Sequence, residues 1–307
     1  MTRPGALAGI GNTPLVRLTS LPGPEDAEVW VKLEGANPTG SYKDRMALAM
    51  IEAAERDGRL QPGQLVVEYT GGSTGSSLAF VCAVKGYPLR IVSSDAFAAE
   101  KLRTMTAFGA ELEIVESPDG IHPGLIPEMM RRAAAIVEET GAFATDQFHN
   151  HDTLDGYRLI GEEIGAQLRQ PIDALCVYVG VGGCFVGTAQ ALRPLHPAMT
   201  RVAVEPAESA VLSGNPPGTH RIEGGGVGFV PELLTPDVID RVEQVSTAEA
   251  FDTARRVARA EGVFTGPSGG ANVAAALRLA TELGRGHTVV TVQPDSGLKY
   301  LAGDLYG

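Results

Sequence analysis

The chain has 307 residues, 44% of them hydrophobic and 20% charged, so it can bury a substantial core, and its composition excludes a disordered or fibrous protein. Its formal net charge of −12 argues against nucleic acid and anionic lipid as partners, because an acidic surface repels phosphate groups. No apolar run reaches the roughly 20 residues that a membrane span needs, and no signal-like segment opens the chain. We therefore expect a cytoplasmic protein that binds neither nucleic acid nor membrane.

Short β-branched runs alternate with helical patterns along most of the chain. Strands are predicted at 65–68, 89–92, 112–115, 174–179, 202–204 and 289–292, and helices at 74–85, 98–108, 126–139, from about 184, and at 272–283. Two helix starts have capping-box spacing, Ser41 with Asp44 and Ser246 with Glu249. The alternation is typical of βαβ units, so we predict an α/β fold with parallel sheets. Residues 214–228 are rich in glycine and proline and are predicted to form one long loop.

Three predicted strand-to-helix connections are rich in glycine: Tyr69–Gly75, Gly180–Cys184 and Thr265–Gly270. Glycine lets the backbone approach a ligand closely, and the amides of a helix N-terminus attract negative charge. A single turn of this kind is explained equally well by its dihedral angles, but three in one α/β chain favour a phosphorylated ligand.

A dinucleotide is an alternative ligand for the second turn, because Glu205 ends the next strand where a ribose-binding acid would lie. The glycine pattern argues against it. Phe185 occupies the position of the third glycine in G-x-G-x-x-G, and no Walker lysine follows any of the turns.

Lys43 is the candidate for a covalent bond to such a ligand. The chain has only five lysines, and this one lies in a turn that enters a predicted helix. Its amine would face the positive end of the helix dipole, which disfavours the charged form, as a Schiff-base lysine requires. A lysine in a first helical turn is otherwise usually just exposed.

Two other groups of residues are of the types that form metal or disulfide sites. Four residues in one segment could be imagined around a metal: Asp146, His149, His151 and Asp152. Histidines two positions apart in a loop are weak evidence, so we expect no metal. The three cysteines lack C-x-x-C spacing, so neither a disulfide framework nor a zinc cluster is predicted: Cys82, Cys176 and Cys184.

Several long motifs occur in one order along the chain: Gly11–Leu15, Asn37–Arg45 and Pro294–Leu301. Together with the three glycine turns, these motifs resemble the fold-type-II pyridoxal-phosphate enzymes, specifically cysteine synthase (O-acetylserine sulfhydrylase) and cystathionine β-synthase. The likeness covers nearly the whole chain. It implies a two-lobed α/β fold of the tryptophan synthase β type, with a mostly parallel sheet flanked by helices in each lobe.

The resemblance also implies what each lobe does. Residues 1–46 and 151–307 are expected to form the larger lobe, which binds the cofactor, and residues 47–150 the smaller, mobile lobe, which binds the substrate. The cofactor is expected to lie between the two lobes.

The resemblance implies pyridoxal 5'-phosphate as the cofactor, held covalently by Lys43. Backbone amides of the second glycine turn would bind its phosphate: Gly180, Val181, Gly182, Gly183 and Cys184. Cys184 stands where the family commonly has threonine. Ser268 matches a serine that bonds the pyridine nitrogen, and a neutral partner at that position favours β-chemistry over transamination.

The substrate carboxylate is expected to be bound by the first glycine turn and one distant glutamine: Thr70, Gly71, Ser73, Thr74 and Gln147. Gly228, in the loop Ile222–Pro231, would lie across the cofactor beside the substrate, and Ser73 is expected to contact the cofactor as well. Ser73 replaces the asparagine of ordinary cysteine synthases, and Tyr42 replaces a common valine. These departures leave the leaving group and the nucleophile open.

The implied reaction replaces the β-substituent of serine or an O-activated serine through an aminoacrylate, with sulfide or a related nucleophile as the acceptor. One alternative keeps the cofactor but ends in elimination to pyruvate and ammonia, as in a cysteine desulfhydrase or a serine dehydratase. Another is an inactive homologue that binds a partner, against which the presence of Lys43 argues. The expected partners are a small amino acid, a small nucleophile and a second copy of the chain, since the resemblance implies a homodimer.

Overall fold

Residues 5–118 and 124–307 are described by the computed structural model of the chain. They group into two compact units. The small unit contains the described residues of Met1–Ile10 and Lys43–Gly156, and the large unit contains Gly11–Tyr42 and Tyr157–Gly307. The chain therefore passes from one unit to the other at Lys43 and again at Tyr157. Which unit holds the cofactor, and which one moves, stay predictions.

Six strands lie close to the predicted runs, and four others were not predicted: Leu15–Arg17, Glu28–Leu33, Phe143–Ala144 and Arg241–Val245. In chain order the strands are β1 (Leu15–Arg17), β2 (Glu28–Leu33), β3 (Val66–Tyr69), β4 (Leu89–Ser94), β5 (Glu111–Val115), β6 (Phe143–Ala144), β7 (Ala174–Tyr178), β8 (Thr200–Pro206), β9 (Arg241–Val245) and β10 (Thr288–Gln293). The helices are α1 (Lys43–Asp57), α2 (Ser73–Lys85), α3 (Ala99–Ala107), α4 (Leu125–Thr140), α5 (Asp152–Gln167), α6 (Gly183–Leu192), α7 (Thr247–Glu261) and α8 (Pro267–Leu283).

The large unit is built on a sheet of order β1-β2-β10-β7-β8-β9, in which every pair is parallel except β1 with β2. All residues of β7 and β10 are buried, as expected for central strands of a parallel sheet that is covered on both faces. Apolar side chains of the sheet pack against α8 in one core: Val29, Val31, Cys176, Tyr178, Val202, Val204, Val289, Ala271, Ala275 and Leu279.

The small unit is built on a wholly parallel sheet of order β5-β4-β3-β6. Side chains of β3 and β4 pack against one face of α4: Val67, Tyr69, Val92, Leu125, Met129, Ala133 and Ile136. Both sheets therefore place the turns that follow their strands at the carboxyl edge, where ligands of α/β proteins usually bind.

The start of α8 differs from the prediction. The helix begins at Pro267, five residues before Asn272, so Ser268 lies in its first turn rather than in a loop before it. Proline suits the first helical position because its missing N–H would have no partner there. The glycines that suggested a turn are helical residues that allow close packing, since a Cβ on Gly270 would lie 2.1 Å from the carbonyl oxygen of Ala250.

Other local expectations are settled by individual contacts. The hydroxyl of Ser246 accepts a hydrogen bond from the Glu249 amide at 3.2 Å, which confirms the predicted helix cap. The buried carboxylate of Glu205 accepts hydrogen bonds from the amides of Leu212 and Ser213, so it fixes the start of the loop after β8. Within the described chain, no helix is long and apolar enough to span a membrane.

Candidate active site

The second glycine turn joins β7 to α6 in the large unit. Residues 180–184 are all buried, and α6 begins at Gly183. The residue before the helix, Gly182, has no side chain to cap it, and the first amides of any helix lack partners within the helix. The turn is therefore a buried set of backbone donors at the positive end of a helix dipole, which suits a phosphate group.

Gly180 allows a second segment to cover this turn. A Cβ at Gly180 would lie 2.5 Å from the carbonyl oxygen of Gly224, so a larger residue would push that segment away. The covering segment is also bonded to the strand end, because the Gly226 amide donates to the Val179 carbonyl at 3.1 Å. The long loop thus packs on the second glycine turn. Gly228 lies further along the same loop, and its contact with substrate stays a prediction.

Asn272 joins the third glycine segment to the same strand end. Its fully buried side chain accepts a hydrogen bond from the Tyr178 amide at 2.6 Å and donates one to the Val292 carbonyl at 2.7 Å. These bonds fix α8 against the carboxyl ends of β7 and β10. One turn earlier lies Ser268, whose side chain is 4% exposed and whose hydroxyl has no hydrogen-bond partner among the described residues.

The donors of the large unit fit the predicted cofactor. Pyridoxal 5'-phosphate carries a doubly charged phosphate and a pyridine nitrogen, which need several N–H donors and one neutral hydrogen-bonding group. The uncapped amides at Gly183 provide the N–H donors for the phosphate, and the hydroxyl of Ser268 provides the neutral group for the pyridine nitrogen.

Lys43 is the first residue of α1 in the small unit. Its side chain is 8% exposed, and its Nζ lies 3.8 Å from the Sδ of Met46, one turn further along the helix. The structure gives two other lysines structural partners. Lys32 is fully buried and pairs with Glu163 at 2.7 Å, and Lys85 pairs with Glu55, also at 2.7 Å.

Tyr42, which precedes this lysine, packs within the large unit. Its amide donates to the Pro294 carbonyl at 2.9 Å, and its ring lies 5.3 Å from that of Tyr157, tilted by 54°. Burial raises the pKa of Tyr42 well above its ordinary value, so the phenol stays neutral near pH 7. These contacts favour packing over proton transfer as the role of this tyrosine.

The first glycine turn joins β3 to α2 in the small unit. The amide of Gly72 donates to the hydroxyl of Thr70 at 3.2 Å, and α2 begins at Ser73 without a side-chain cap. The hydroxyl of Thr74 donates to the side-chain oxygen of Gln147 at 2.7 Å. Two segments that are 73 residues apart in sequence therefore meet at the amino end of this helix.

Glu68 was not among the residues selected from the sequence. It is 1% exposed and ends in a carboxylate that accepts hydrogen bonds from the Thr145 hydroxyl at 2.7 Å and from the amides of Tyr69 and Gln147 at 2.9 and 3.2 Å. Burial raises the pKa of Glu68 to about 7, the hydrogen bonds lower it in part, and the nearby charge of Asp146 raises it further. Glu68 is an acid in an otherwise apolar strand, directly before a glycine turn, and this pattern could have identified it from the sequence.

Phe97 is a second residue that the sequence did not reveal. A Cβ at Gly71 would lie 2.1 to 2.3 Å from the ring carbons of Phe97, so the ring lies directly against this glycine. No sequence pattern connects the two positions, because their contact arises only when the segment after β4 folds over the turn after β3.

Polar side chains in the segment with two histidines have partners other than a metal. His149 lies 2.8 Å from the carboxylate of Asp146, and Asp152 pairs with Arg59 at 2.7 Å. In residues 5–118 and 124–307, no three side chains among His, Cys, Asp and Glu are grouped as a metal site.

Comparisons with known proteins agree with this geometry. The family model described as "Pyridoxal-phosphate dependent enzyme" matches residues 6–295. A cysteine synthase of Staphylococcus aureus is 41% identical over 97% of this chain and 95% of its own. Among solved structures, an O-ureido-L-serine synthase is 35% identical with a TM-score of 0.92, covering 98% of this chain and 94% of that one. The O-acetylserine sulfhydrylase isoform 3 of Entamoeba histolytica is 36% identical with a TM-score of 0.92, covering 98% and 91%.

The chain therefore belongs to the family of pyridoxal-phosphate dependent enzymes. Within that family it is an enzyme of the cysteine synthase type, and its cofactor is pyridoxal 5'-phosphate. The fold-type-II architecture predicted from the motifs is confirmed.

The contact between Gly71 and Phe97 predicts that Gly71→Ala is destabilising, by about 1 to 3 kcal/mol in the free energy of unfolding, because the methyl group overlaps the ring. Replacing the ring as well, in Gly71→Ala with Phe97→Ala, should remove the overlap, so the two substitutions should be non-additive. Urea denaturation of the single and double variants measures this. Gly72→Ala is the matched control, since nothing lies within 4 Å of its Cβ position, and it should cost much less. Strict additivity would show that the contact is absent.

The raised pKa of Glu68 predicts a pH dependence of stability. Because the folded pKa is about 7 and the ordinary value is 4.5, the contribution of Glu68 is fully present below about pH 4.5 and is lost as the pH rises through 7. Relative to Glu68→Gln, the free energy of unfolding of wild type should fall by about 3 kcal/mol over that range. Parallel denaturation of both proteins between pH 4.5 and 8 tests this, and a constant difference would contradict it.

Proposed function

We propose that this enzyme replaces the oxygen substituent on the β-carbon of O-acetyl-L-serine, or of a related O-activated serine, with sulfide or a similar small nucleophile. The product with sulfide is cysteine. The names of the similar proteins support this choice, since they include a cysteine synthase, an O-acetylserine sulfhydrylase and an O-ureido-L-serine synthase.

The observation that carries the proposal is the hydrogen bond between Thr74 and Gln147 in the small unit. Both residues were expected at the substrate carboxylate, and both are nearly fully buried. The bond holds the oxygen of the Gln147 side chain, so the NH₂ group of Gln147 and the uncapped amides at Ser73 are neutral donors that suit the carboxylate of a small amino acid.

In the proposed site, the large unit anchors the cofactor. The amides at the start of α6 bind the phosphate, and Ser268 bonds the pyridine nitrogen without protonating it. The bound cofactor supplies the electron sink that stabilises negative charge at the substrate α-carbon. A neutral hydroxyl at the nitrogen moderates that sink, which favours departure of the β-substituent over transamination.

Lys43 would hold the cofactor covalently through Nζ, and the same amine would act as base and then as acid. Once released by the substrate amine, it would take the proton from the α-carbon. The bond between the β-carbon and the substituent oxygen would then break, and acetate would leave with the bonding electrons. The nucleophile would add to the β-carbon, Lys43 would return the proton to the α-carbon, and its Nζ would re-form the covalent attachment as the product amine leaves. The homodimer and the cytoplasmic location stay predictions.

The proposal predicts that purified enzyme converts O-acetyl-L-serine and sulfide into cysteine, and that borohydride reduction attaches the pyridoxyl group to Lys43. Lys43→Ala should lower the rate of cysteine formation on the order of 10²- to 10⁴-fold, since it removes the proton-transferring amine. Lys85→Ala, which breaks a partly exposed ion pair with Glu55, is the control and should keep its activity. Peptide mapping by mass spectrometry and a cysteine assay provide the measurements.

Two results would contradict this assignment. Attachment of the pyridoxyl group to another lysine would show that Lys43 is not the residue that holds the cofactor covalently. Rapid release of pyruvate in the absence of any nucleophile, unchanged when sulfide is added, would favour the elimination alternative over replacement.

Ser73 predicts a substrate preference different from that of an enzyme with asparagine at this position. Serine offers one hydroxyl where asparagine offers an amide with two donors and an acceptor, and it leaves more room. Ser73→Asn should therefore raise kcat/KM for O-acetylserine relative to the bulkier O-phosphoserine, by roughly ten- to a hundredfold if one hydrogen bond is gained. Steady-state kinetics with both substrates measure the ratio. An equal change for both substrates would mean that the hydroxyl, a water molecule or Thr74 already serves the same purpose.

A further inference from the structure

The carboxyl group of Glu68 lies directly behind the first glycine turn of the small unit. It is 1% exposed at the carboxyl end of β3, two residues before Thr70. Its nearest cross-strand neighbour on β4 is Ile91. Among the described residues, the one charged group that acts on it is Asp146, which is also acidic. A buried acid with no cation beside it is costly, and such groups are concentrated at functional sites.

One oxygen of this carboxyl group holds both sides of a bend in the chain. Asp146 has a φ of 45°, a left-handed conformation that is unfavourable for a residue other than glycine. The residues on either side of it donate to the same oxygen, Oε2 of Glu68: the hydroxyl of Thr145 at 2.7 Å and the amide of Gln147 at 3.2 Å. Glu68 therefore stabilises the bend that sets the direction of Gln147.

The bend is connected to the turn that we assign to the substrate carboxylate. The side chain of Gln147 accepts the hydrogen bond of Thr74 in the first turn of α2. The other oxygen of Glu68 accepts the amide of Tyr69, at the point where β3 enters the same turn. Both segments that form the substrate site are thus bonded to one buried carboxylate.

We propose that Glu68 is the positioning residue of the substrate carboxylate site, and that its ionised form, acting through Gln147, is the form that binds the amino acid well. This proposal rests on the proposed function, because it takes the turn at Thr70–Thr74 as the place where the amino acid binds.

Protonation of Glu68 has a defined structural consequence. A proton on Oε2 can be accommodated by Thr145, whose hydroxyl can turn its own hydrogen toward the Val67 carbonyl, 3.4 Å away. The amide of Gln147 then loses its charge-assisted bond. Because burial raises the pKa of Glu68 to about 7, this change falls in the neutral range, and amino-acid binding weakens as the pH drops through it. Asp146 favours the protonated form, and its pairing with His149 links it to a second titratable group.

The test measures binding of L-alanine, an amino acid with no leaving group on its β-carbon, to the holoenzyme through the change in the visible absorbance of the cofactor, for wild type and Glu68→Gln between pH 6 and 8. The amide side chain cannot accept three donors, so the dissociation constant at pH 8 should rise on the order of ten- to a hundredfold. The ratio between variant and wild type should then fall by about tenfold from pH 8 to pH 6, as wild type becomes protonated. The amine of L-alanine titrates equally with both enzymes, so the ratio isolates Glu68.

The control is Glu261→Gln. The carboxylate of Glu261 also accepts three hydrogen bonds, from the amides of Thr19, Ser20 and Leu21, but it lies in the large unit at the end of α7, outside the glycine turns. Glu261→Gln should leave the dissociation constant and its pH dependence within about twofold of wild type. Cofactor content should be unchanged in both variants. The proposal is overturned if both variants lose affinity for the amino acid equally. It is also overturned if the ratio of the dissociation constants of Glu68→Gln and wild type does not vary with pH.

If Glu68→Gln does not fold, Glu68→Asp takes its place. Aspartate keeps the charge, but its carboxylate lies one methylene further from the bend. Glu68→Asp should therefore bind the amino acid more weakly, and its dissociation constant should still depend on pH. Retention of full affinity in Glu68→Asp would overturn the proposal. If wild type binds the amino acid but forms no cysteine, the proposed reaction is wrong, and the binding comparison still decides the proposal about Glu68. Wild type that binds no amino acid contradicts both.

Discussion

Unsatisfied backbone amides at the starts of three helices are the constraint on which the chemistry of this enzyme depends. The helices α2, α6 and α8 follow glycine residues, and none of their first turns is capped by a side chain. The starts of α6 and α8 are buried and that of α2 is partly buried, and an unpaired N–H is costly away from water. A bound anion or polar ligand removes that cost. The same feature therefore suits the phosphate that we propose for the large unit and the carboxylate that we propose for the small unit.

Close packing keeps these starts in place. In the large unit, Asn272 bonds to the ends of two neighbouring strands, and the loop after β8 lies against Gly180 with no room for a side chain. In the small unit, the ring of Phe97 lies against Gly71 in the same way. Glycine at these positions serves the approach of another segment, so the sites depend on packing partners that are far away in sequence.

The first glycine turn also shows how stability and function oppose each other. Glu68 is buried without a cation, which penalises its charged form, and Asp146 beside it adopts an unfavourable backbone conformation. An apolar residue in place of Glu68 would avoid the first cost, but the amides of Tyr69 and Gln147 would lose their acceptor. Strain and buried charge of this kind are typical of functional sites, where geometry outweighs local stability.

The sequence by itself determined the α/β class, the positions of most strands and helices, the family and the three glycine segments. It could do so because each of these depends on local periodicity or on residues adjacent in the chain. It placed the start of α8 too late, since Gly269 and Gly270 look like turn residues until their packing is known. Only the tertiary structure decided that Thr74 meets Gln147, that Phe97 covers Gly71 and that Glu68 bonds to Thr145 and Gln147. These contacts join residues between 26 and 79 positions apart, and no local pattern encodes them, because they form only when parallel strands bring their carboxyl ends together.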